Sequence, residues 1–349
     1  MKINDLEFHL VEIGSMGLTQ PVRSLLVRLT TDAGLEGWGE SGLNWRPAEL
    51  PARRDALLPV LAGRSIFDIE ELHTLEALPS ASLRCAVEMA CWDLIGRALG
   101  QPLCRLFGGE YRQRIPLAVR LIGRRPERMA RVAREMASQG FHCLVINSSG
   151  QVDLDRQMLL AVRESVGDRM TLRLDGLAQY DIETARDLCA AVEYDNLQFL
   201  LDPLQTQELY PIASLGRQTS VPLAVCRALH GPADVLAAVR CGAAPLLVLD
   251  LDQVGGLAPA RACAAIASAA GISALLGGRP TLGIAAAAML HLAAATPALS
   301  GGNETAYLQL QDDVLADPLL IESGMMSVPQ MPGLGIEVDR AKIDRYAAA

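Results

Sequence analysis

Six short apolar runs recur at regular spacing through the middle of this 349-residue chain. Each run ends in small or polar residues, and successive runs start about 25 residues apart, which suits one strand, one helix and two loops. Their continuous rather than alternating apolar character is typical of strands that are buried on both faces. The runs occupy residues 143–146, 171–174, 199–201, 222–225, 246–249 and 272–276.

Repeated strand-then-helix units predict a (β/α) barrel, with a further strand near residues 115–119 where the barrel begins. Catalytic groups of such barrels lie at the C-terminal ends of the strands. The search for function therefore narrows to the side chains that follow each run. These are Arg120, Asn147, Asp175, Asp202, Cys226, Arg227, Asp250 and Arg279.

The flanking segments predict a second, smaller domain. Residues 1–40 read as strands around a turn at 32–34, and residues 51–106 have a helical pattern that ends at Gly100-Gln101-Pro102. The tail is rich in proline and glycine, and we expect it to fold back onto the first domain. The predicted division is a capping domain at 1–112, the barrel at 113–316 and a completing tail at 317–349.

Composition limits the partners. The net charge of −9 argues against nucleic acid or an anionic membrane surface. No apolar run reaches the roughly 18 residues of a membrane span, and the N-terminus lacks a signal-peptide pattern. The eight cysteines form no CxxC or Cys/His cluster. We expect a cytoplasmic protein with reduced thiols.

Four motifs carry a family resemblance. Residues 91–103, read together with Leu106-Phe107-Gly108-Gly109, resemble the mandelate racemase/muconate lactonizing branch of the enolase superfamily. The hairpin at 34–40 (Gly-Leu-Glu-Gly-Trp-Gly-Glu), Gly255-Gly256 and the Pro-Gly-Leu-Gly at 332–335 are similar to further motifs of that branch. Their order and spacing cover essentially the whole chain.

This resemblance implies an α/β fold: a modified TIM barrel, (β/α)₇β, under an α+β capping domain built from the N-terminal region and the C-terminal tail. It also implies a homo-oligomer, commonly a dimer or octamer, and two capping loops, here at 14–20 and 43–46, over a small carboxylic acid. In the family, proton abstraction next to the carboxylate gives an enediolate. Mg²⁺, held by three acidic residues, stabilises it, and Lys-x-Lys on the second barrel strand moves protons.

The chain departs from this pattern at its metal positions. Asp175 keeps the first ligand, but Leu201 takes the second and Cys226-Arg227 takes the third. Asp202 is one residue out of register, and in a strand that would turn its side chain away. A permanent charge on Arg227 would repel Mg²⁺ by several kcal/mol. We therefore predict that the Mg²⁺ site is lost and that the protein uses no cofactor.

The arginines predict an anion site in place of the metal. Arg227 can grip a carboxylate through two parallel hydrogen bonds, and Arg120 and Arg279 could complete a ring around it. The alternative is that these arginines only form ion pairs that fill the vacated site. In that case Arg227 would pair with Asp175, and Arg279 with Asp250 or Asp252.

Candidate proton movers are few, because the Lys-x-Lys positions are Val145 and Asn147. Asp250 and Asp175 are the acids in register, so both are predicted to be catalytic. Asn147 can only hydrogen-bond the substrate, and Trp45 could contact it from the cap. His230 and Cys226 are lesser candidates. A solvated loop histidine and a small strand-end residue explain them more simply.

Three functions stay open at this point. The first is a metal-independent isomerase or lyase that acts on a small carboxylic acid. The second is a non-catalytic pseudoenzyme or ligand-binding protein. The third is an enzyme with a relocated divalent-metal site that uses Asp175, Asp202 and Asp250.

Overall fold

The computed structural model describes residues 1–16 and 20–348, and a three-stranded antiparallel sheet forms its N-terminal part. Strand β1 (Ile3–Ile13) pairs with β2 (Val22–Thr31), which pairs with β3 (Glu36–Ser41). The predicted turn lies between β2 and β3. Gly34 adopts a φ of +77° there, which glycine takes without strain.

Four helices follow this sheet: α1 (Leu50–Leu61), α2 (Ile69–Thr74), α3 (Ala81–Leu99) and α4 (Leu103–Leu106), with a short 3₁₀ helix (Pro47–Glu49) before α1. Helix α3 is the longest and is largely buried, because β3 packs on it from one side and barrel helices from the other. The Ser80 hydroxyl caps its start by accepting from the N–H of Leu83. Gly100 ends it in the left-handed conformation, as its sequence predicts.

Eight parallel strands close into a barrel, so the predicted (β/α)₇β fold is confirmed. The last strand pairs with the first, and residues at equivalent depth lie side by side, as Asn147 does beside Asp175. The strands are β4 (Arg114–Leu121), β5 (Cys143–Asn147), β6 (Thr171–Asp175), β7 (Leu197–Leu201), β8 (Leu223–Val225), β9 (Leu246–Leu249), β10 (Ser273–Leu276) and β11 (Asn303–Glu304).

Helices cover the outside of the barrel. They are α5 (Pro126–Ser138), α6 (Val152–Val166), α7 (Ile182–Ala191), α8 (Leu209–Gly216), α9 (Pro232–Cys241), α10 (Leu251–Val254), α11 (Leu257–Ala269) and α12 (Gly283–Ala295). Helix α12 is apolar all round because it is buried almost throughout. Within the two described stretches, no helix is long and apolar enough to cross a membrane.

The tail contacts both parts of the molecule. After a 3₁₀ helix (Tyr307–Gln309), the hairpin of β12 (Ile321–Glu322) and β13 (Met325–Ser327) pairs with the start of β4. The chain then returns through α13 (Arg340–Arg345) to the first sheet, where the N–H of Ala348 donates to Leu10 at 2.8 Å. The boundaries at 112 and 316 stay predictions.

Two buried glutamates of the N-terminal domain bind the first turns of barrel helices. Glu40, at the end of β3, accepts the N–H groups of Leu282 (2.7 Å) and Ala285 (2.9 Å) at the start of α12. Glu88, in α3, accepts two N–H groups at the start of α11, at 2.6 and 2.8 Å. Helix N-termini favour negative charge and have unpaired N–H groups, so each contact fixes the cap on the barrel.

We expect Glu88→Ala to lower the free energy of unfolding by about 3 kcal/mol, because two buried N–H groups of α11 lose their acceptor. The indole N–H of Trp92, which donates to Glu88 at 2.9 Å, loses its partner as well. Urea unfolding measures the change. The control is Glu164→Ala, which removes an exposed helical glutamate and should stay within about 0.5 kcal/mol of the parent. Equal stability of the two variants would contradict the capping role.

Candidate functional site

A cavity of about 440 Å³, here called the mouth cavity, opens at the C-terminal ends of the barrel strands. Residues in or just after each of the eight strands line it. Six of the seven predicted site residues meet there: Arg120, Asn147, Asp175, Arg227, Asp250 and Arg279. Other polar lining residues are Asp202, Gln207, Cys226, His230, Gln253, Glu304, Thr305 and Gln309.

Arg120 is the centre of a buried network. Its guanidinium donates to Asn147 and to Asp175, both at 2.5 Å, and to Glu304. Burial alone would lower the pKa of Arg120, but the carboxylates of Glu304 and Asp175 raise it above its usual value. Arg120 is thus already paired, and it holds Asn147 and Asp175 in place rather than waiting for a ligand.

Glu304 is a site residue that the sequence analysis missed. It ends the two-residue strand β11, which is too short to produce an apolar run. Its side chain is only 6% exposed, and its Oε1 accepts no hydrogen bond within the described residues. The guanidinium of Arg173, inside the barrel, approaches that oxygen to 3.9 Å. Buried polar atoms usually have partners, so this oxygen stands out among the carboxylates of the mouth cavity.

Asp202 and Asp250 share one arrangement, in which each carboxylate accepts two backbone N–H groups. Asp202 accepts those of Cys226 (2.9 Å) and Arg227 (3.1 Å), and Asp250 accepts those of Asp252 and Arg279, both at 3.0 Å. Burial outweighs these bonds and raises the pKa of each carboxyl to about 6. Both groups can therefore change protonation near neutral pH.

The expectation that Asp202 would face away from the cavity was wrong. Strand β7 ends at Leu201, one residue earlier, so the alternation of a strand no longer applies. Asp202 has a φ of +38°, in the left-handed region, and this turn brings its carboxylate into the cavity lining.

Arg227 differs from the other two arginines of the mouth cavity. It is exposed, and within residues 1–16 and 20–348 no carboxylate oxygen lies within 4.0 Å of its guanidinium. The alternative pairing with Asp175 does not form, because Arg120 occupies that carboxylate. Arg227 therefore has a charge that is available to an anion.

Arg279 follows the ion-pair alternative instead. Its guanidinium donates to Asp252 at 2.9 Å, and Asp252 also accepts from the cap at Gly42 and Ser82. The guanidinium fills the space beside Gly42 so closely that a Cβ at that glycine would lie 1.0 Å from Nη1. Arg279 thus joins the barrel to the cap.

Trp45 lies away from the mouth cavity. Its ring packs edge-on against Phe8 at 5.3 Å, and the guanidinium of Arg53 lies 5.1 Å from its centre. The predicted substrate contact gains no support from this position. The other predicted capping loop includes residues 17–19, which lie outside the described residues.

The two lesser candidates line the mouth cavity as well. Burial raises the pKa of the Cys226 thiol well above its usual range, and the surrounding carboxylates raise it further. A thiolate nucleophile is therefore disfavoured at this position, in agreement with its simpler interpretation. His230 is exposed at the rim of the mouth cavity, in agreement with its interpretation as a solvated loop histidine.

Comparisons with known proteins cover nearly the whole chain. The model for the mandelate racemase / muconate lactonizing enzyme N-terminal domain matches residues 10–108, and the enolase C-terminal domain-like model matches residues 128–342. An N-succinyl-L-Arg/Lys racemase of Bacillus cereus is 27% identical over 93% of this chain and 90% of its own length.

An L-Lys-D/L-Arg epimerase of Methylococcus capsulatus is 31% identical over 96% of this chain and 99% of its own length. The crystal structure of an isomerase from Streptomyces coelicolor superimposes with a TM-score of 0.89 at 28% identity, and covers 99% of this chain and 96% of its own. The related proteins are racemases, epimerases and cycloisomerases, and they support an isomerase-type enzyme.

These comparisons correct the prediction that the protein uses no cofactor. Related enzymes of this family depend on Mg²⁺, so the replaced ligand positions do not show that this chain works without it. The inference from two replaced ligand positions and one added arginine was wrong because the mouth cavity still supplies carboxylate oxygens, the donors that Mg²⁺ prefers.

The fit of the residues to a metal can be judged from their contacts. Arg120 holds Asp175, and backbone N–H groups hold Asp202 and Asp250. Across residues 1–16 and 20–348, no three His, Cys, Asp or Glu side chains are gathered closely enough to hold one ion. The donor chemistry suits Mg²⁺, but this arrangement does not assemble a three-ligand site, so no chemical step is assigned to it below.

We expect Arg120→Met to lower the free energy of unfolding by about 4 kcal/mol, because it leaves two buried carboxylates without their cation. Arg120→Lys keeps the charge but cannot reach both carboxylates, so its loss should be smaller. Urea unfolding compares both with Arg128→Met, an exposed arginine on α5. A loss for Arg120→Met no larger than for that control would show that the network does not hold the barrel mouth together.

Proposed function

Because the chain belongs to the mandelate racemase/muconate lactonizing enzyme branch of the enolase superfamily, we propose that it is an isomerase that moves a proton within a small carboxylic acid. The mouth cavity is the proposed site. The observation that carries the proposal is Arg227, whose guanidinium is exposed and has no carboxylate partner within the described residues. A permanent charge at the strand ends suits a substrate carboxylate.

Asp250 is the proposed base. It removes the proton from the carbon next to the substrate carboxylate, and the electron pair left on carbon moves into the carboxylate to form an enediolate. Arg227 stabilises the added negative charge, and the same or a second acid returns a proton to the carbon or to a neighbouring one.

Glu304 is the proposed second proton donor or acceptor. Its Oε1 is the one oxygen among the carboxylates of Asp175, Asp202, Asp250 and Glu304 that lacks a protein donor within the described residues. Arg120 holds one oxygen of this carboxyl in place, and the other has no donor that would compete for a proton.

Relatives suggest the compounds to try. Their names include racemases of N-succinylamino acids, an L-Ala-D/L-Glu epimerase and muconate cycloisomerases. All of these names describe carboxylic acids. We propose a substrate of that class for this chain.

We expect Arg227→Met to lower kcat/KM by about 100-fold, the size of effect seen when one donor to a developing oxyanion is removed. Deuterium incorporation at the α-carbon, followed by proton NMR in D₂O with Mg²⁺ present and again after EDTA, measures turnover of N-succinylamino acids, dipeptides and muconate. Arg240→Met, an exposed arginine on the helix after β8, is the control. Turnover by Arg227→Met at the rate of this control would contradict the proposal.

Activity should depend on the ionisation of Asp250. Its pKa of about 6 means that the base form predominates above pH 6 and is lost below it. We therefore expect kcat/KM to rise with a slope of one up to about pH 6 and then level off. Asp250→Asn should abolish the exchange reaction. A flat profile between pH 5 and 8 would exclude Asp250 as the base.

A ligand-binding protein without catalysis is the second candidate, and Val145 and Asn147 favour it because neither side chain can move a proton. If this candidate is correct, carboxylates bind to the protein but no deuterium exchange is observed.

A relocated metal site is a third candidate. A calorimetric Mg²⁺ titration that compares the Asp202→Asn variant with the parent tests it. We also propose a homo-oligomer in the cytoplasm, with no nucleic-acid or membrane partner.

A further inference from the structure

The turn that follows β8 presents Arg227 to the mouth cavity. The N–H of Leu229 donates to the carbonyl oxygen of Cys226 at 2.9 Å, so Arg227 is the second residue of a four-residue turn. Cys226, Ala228 and Leu229 are buried, whereas Arg227 is exposed and lines the cavity. The turn therefore places one charged side chain at the barrel mouth.

This turn lacks the residues that usually stabilise a turn. Its sequence, Cys-Arg-Ala-Leu, contains no Gly, Pro, Asn, Asp or Ser, the residue types that preset or permit turn conformations. Local preference therefore contributes little to its shape. Hydrogen bonds from outside the turn have to hold it.

Two side chains from neighbouring strand ends supply those bonds. Asp202, directly after β7, accepts the N–H groups of Cys226 and Arg227 at 2.9 and 3.1 Å. Gln253 is half-buried on α10, after β9, and its Nε2 donates to the carbonyl oxygens of Cys226 (2.9 Å) and Leu229 (2.8 Å). One amide thus binds the first and the last carbonyl group of the turn.

Gln253 also belongs to the segment that holds the proposed base. Helix α10 begins directly after Asp250, whose carboxylate accepts the N–H of Asp252 at 3.0 Å. The Gln253 amide therefore connects the Asp250 segment to the turn that carries Arg227. A displacement of 1 Å between groups that act on one substrate can cost about 100-fold in rate, so such a connection matters for catalysis.

We propose that Gln253 is a positioning residue, whose amide fixes the Arg227 turn relative to Asp250 and so sets the geometry in which a carboxylate is bound and deprotonated. This inference rests on the proposed function, which places the carboxylate at Arg227 and the base at Asp250. Gln253 acts through the turn and moves no proton itself, because a carboxamide can only form hydrogen bonds. The alternative is that Gln253 only satisfies two carbonyl groups and contributes stability alone.

A double-mutant cycle on the full chain tests the proposal. Gln253→Met keeps the length of the side chain but removes the donor, and we expect it to lower kcat/KM for deuterium exchange by about tenfold. In the Arg227→Met background the same change should alter kcat/KM by no more than about twofold, because no guanidinium is left to position. Gln253→Asn is too short to reach both carbonyl groups and should give an intermediate loss. The control is Gln157→Met, which replaces an exposed glutamine on α6.

The outcomes separate this proposal from the proposed function. Equal losses in the two backgrounds, or exchange by folded Gln253→Met at the rate of the control, would overturn the role of Gln253 and leave the isomerase in place. Circular dichroism establishes that each variant is folded, and Gln253→Asn carries the cycle if Gln253→Met is not.

Calorimetric titration of the same proteins with N-succinylamino acids, dipeptides and muconate covers the case without turnover. If a carboxylate binds through Arg227 but no compound exchanges deuterium, the isomerase proposal fails. An affinity loss on Gln253→Met that requires Arg227 would then still support the positioning role, and a loss that does not require it would overturn that role. Absence of both binding and exchange in the parent would overturn both proposals.

Discussion

Buried carboxylates fix the position of the cap on the barrel, because they form hydrogen bonds between the two domains. Glu40 and Glu88 are almost entirely withdrawn from water, and a buried carboxylate is costly unless donors surround it. The donors are the N-terminal amides of α12 and α11, which are themselves unpaired without the cap. The carboxylates of the cap therefore gain hydrogen-bond donors, and the N–H groups of the barrel helices gain acceptors.

Much of this architecture is readable from the sequence, for a physical reason. Strands buried on both faces must be apolar at every position, so residues 143–146, 171–174 and 246–249 stand out, and the structure has strands there. The last barrel strand has no apolar run in the sequence, because two residues, Asn303 and Glu304, are enough to close the barrel. Its carboxylate was missed for that reason. Asp202 was misplaced because a backbone turn, not strand alternation, sets its direction.

The roles of the arginines could not be read from their positions alone. Arg120 lies near the end of β4 and Arg227 lies just after β8, yet Arg120 is enclosed by carboxylates from two other strands and Arg227 is exposed. Whether an arginine is paired depends on which acidic side chains of the other barrel strands reach its guanidinium. The sequence position of the arginine does not contain that information. The mistaken expectation about the cofactor has the same origin, because it counted acids strand by strand rather than across the mouth.

The contact between Gly42 and Arg279 has a consequence for how this site could change over time. A side chain at position 42 would push aside the flexible end of Arg279, which lines the mouth cavity, so a single substitution in the cap would reshape that cavity. The cap would stay joined to the barrel there, because Asp252 also accepts from the backbone N–H of Gly42 and from the hydroxyl of Ser82.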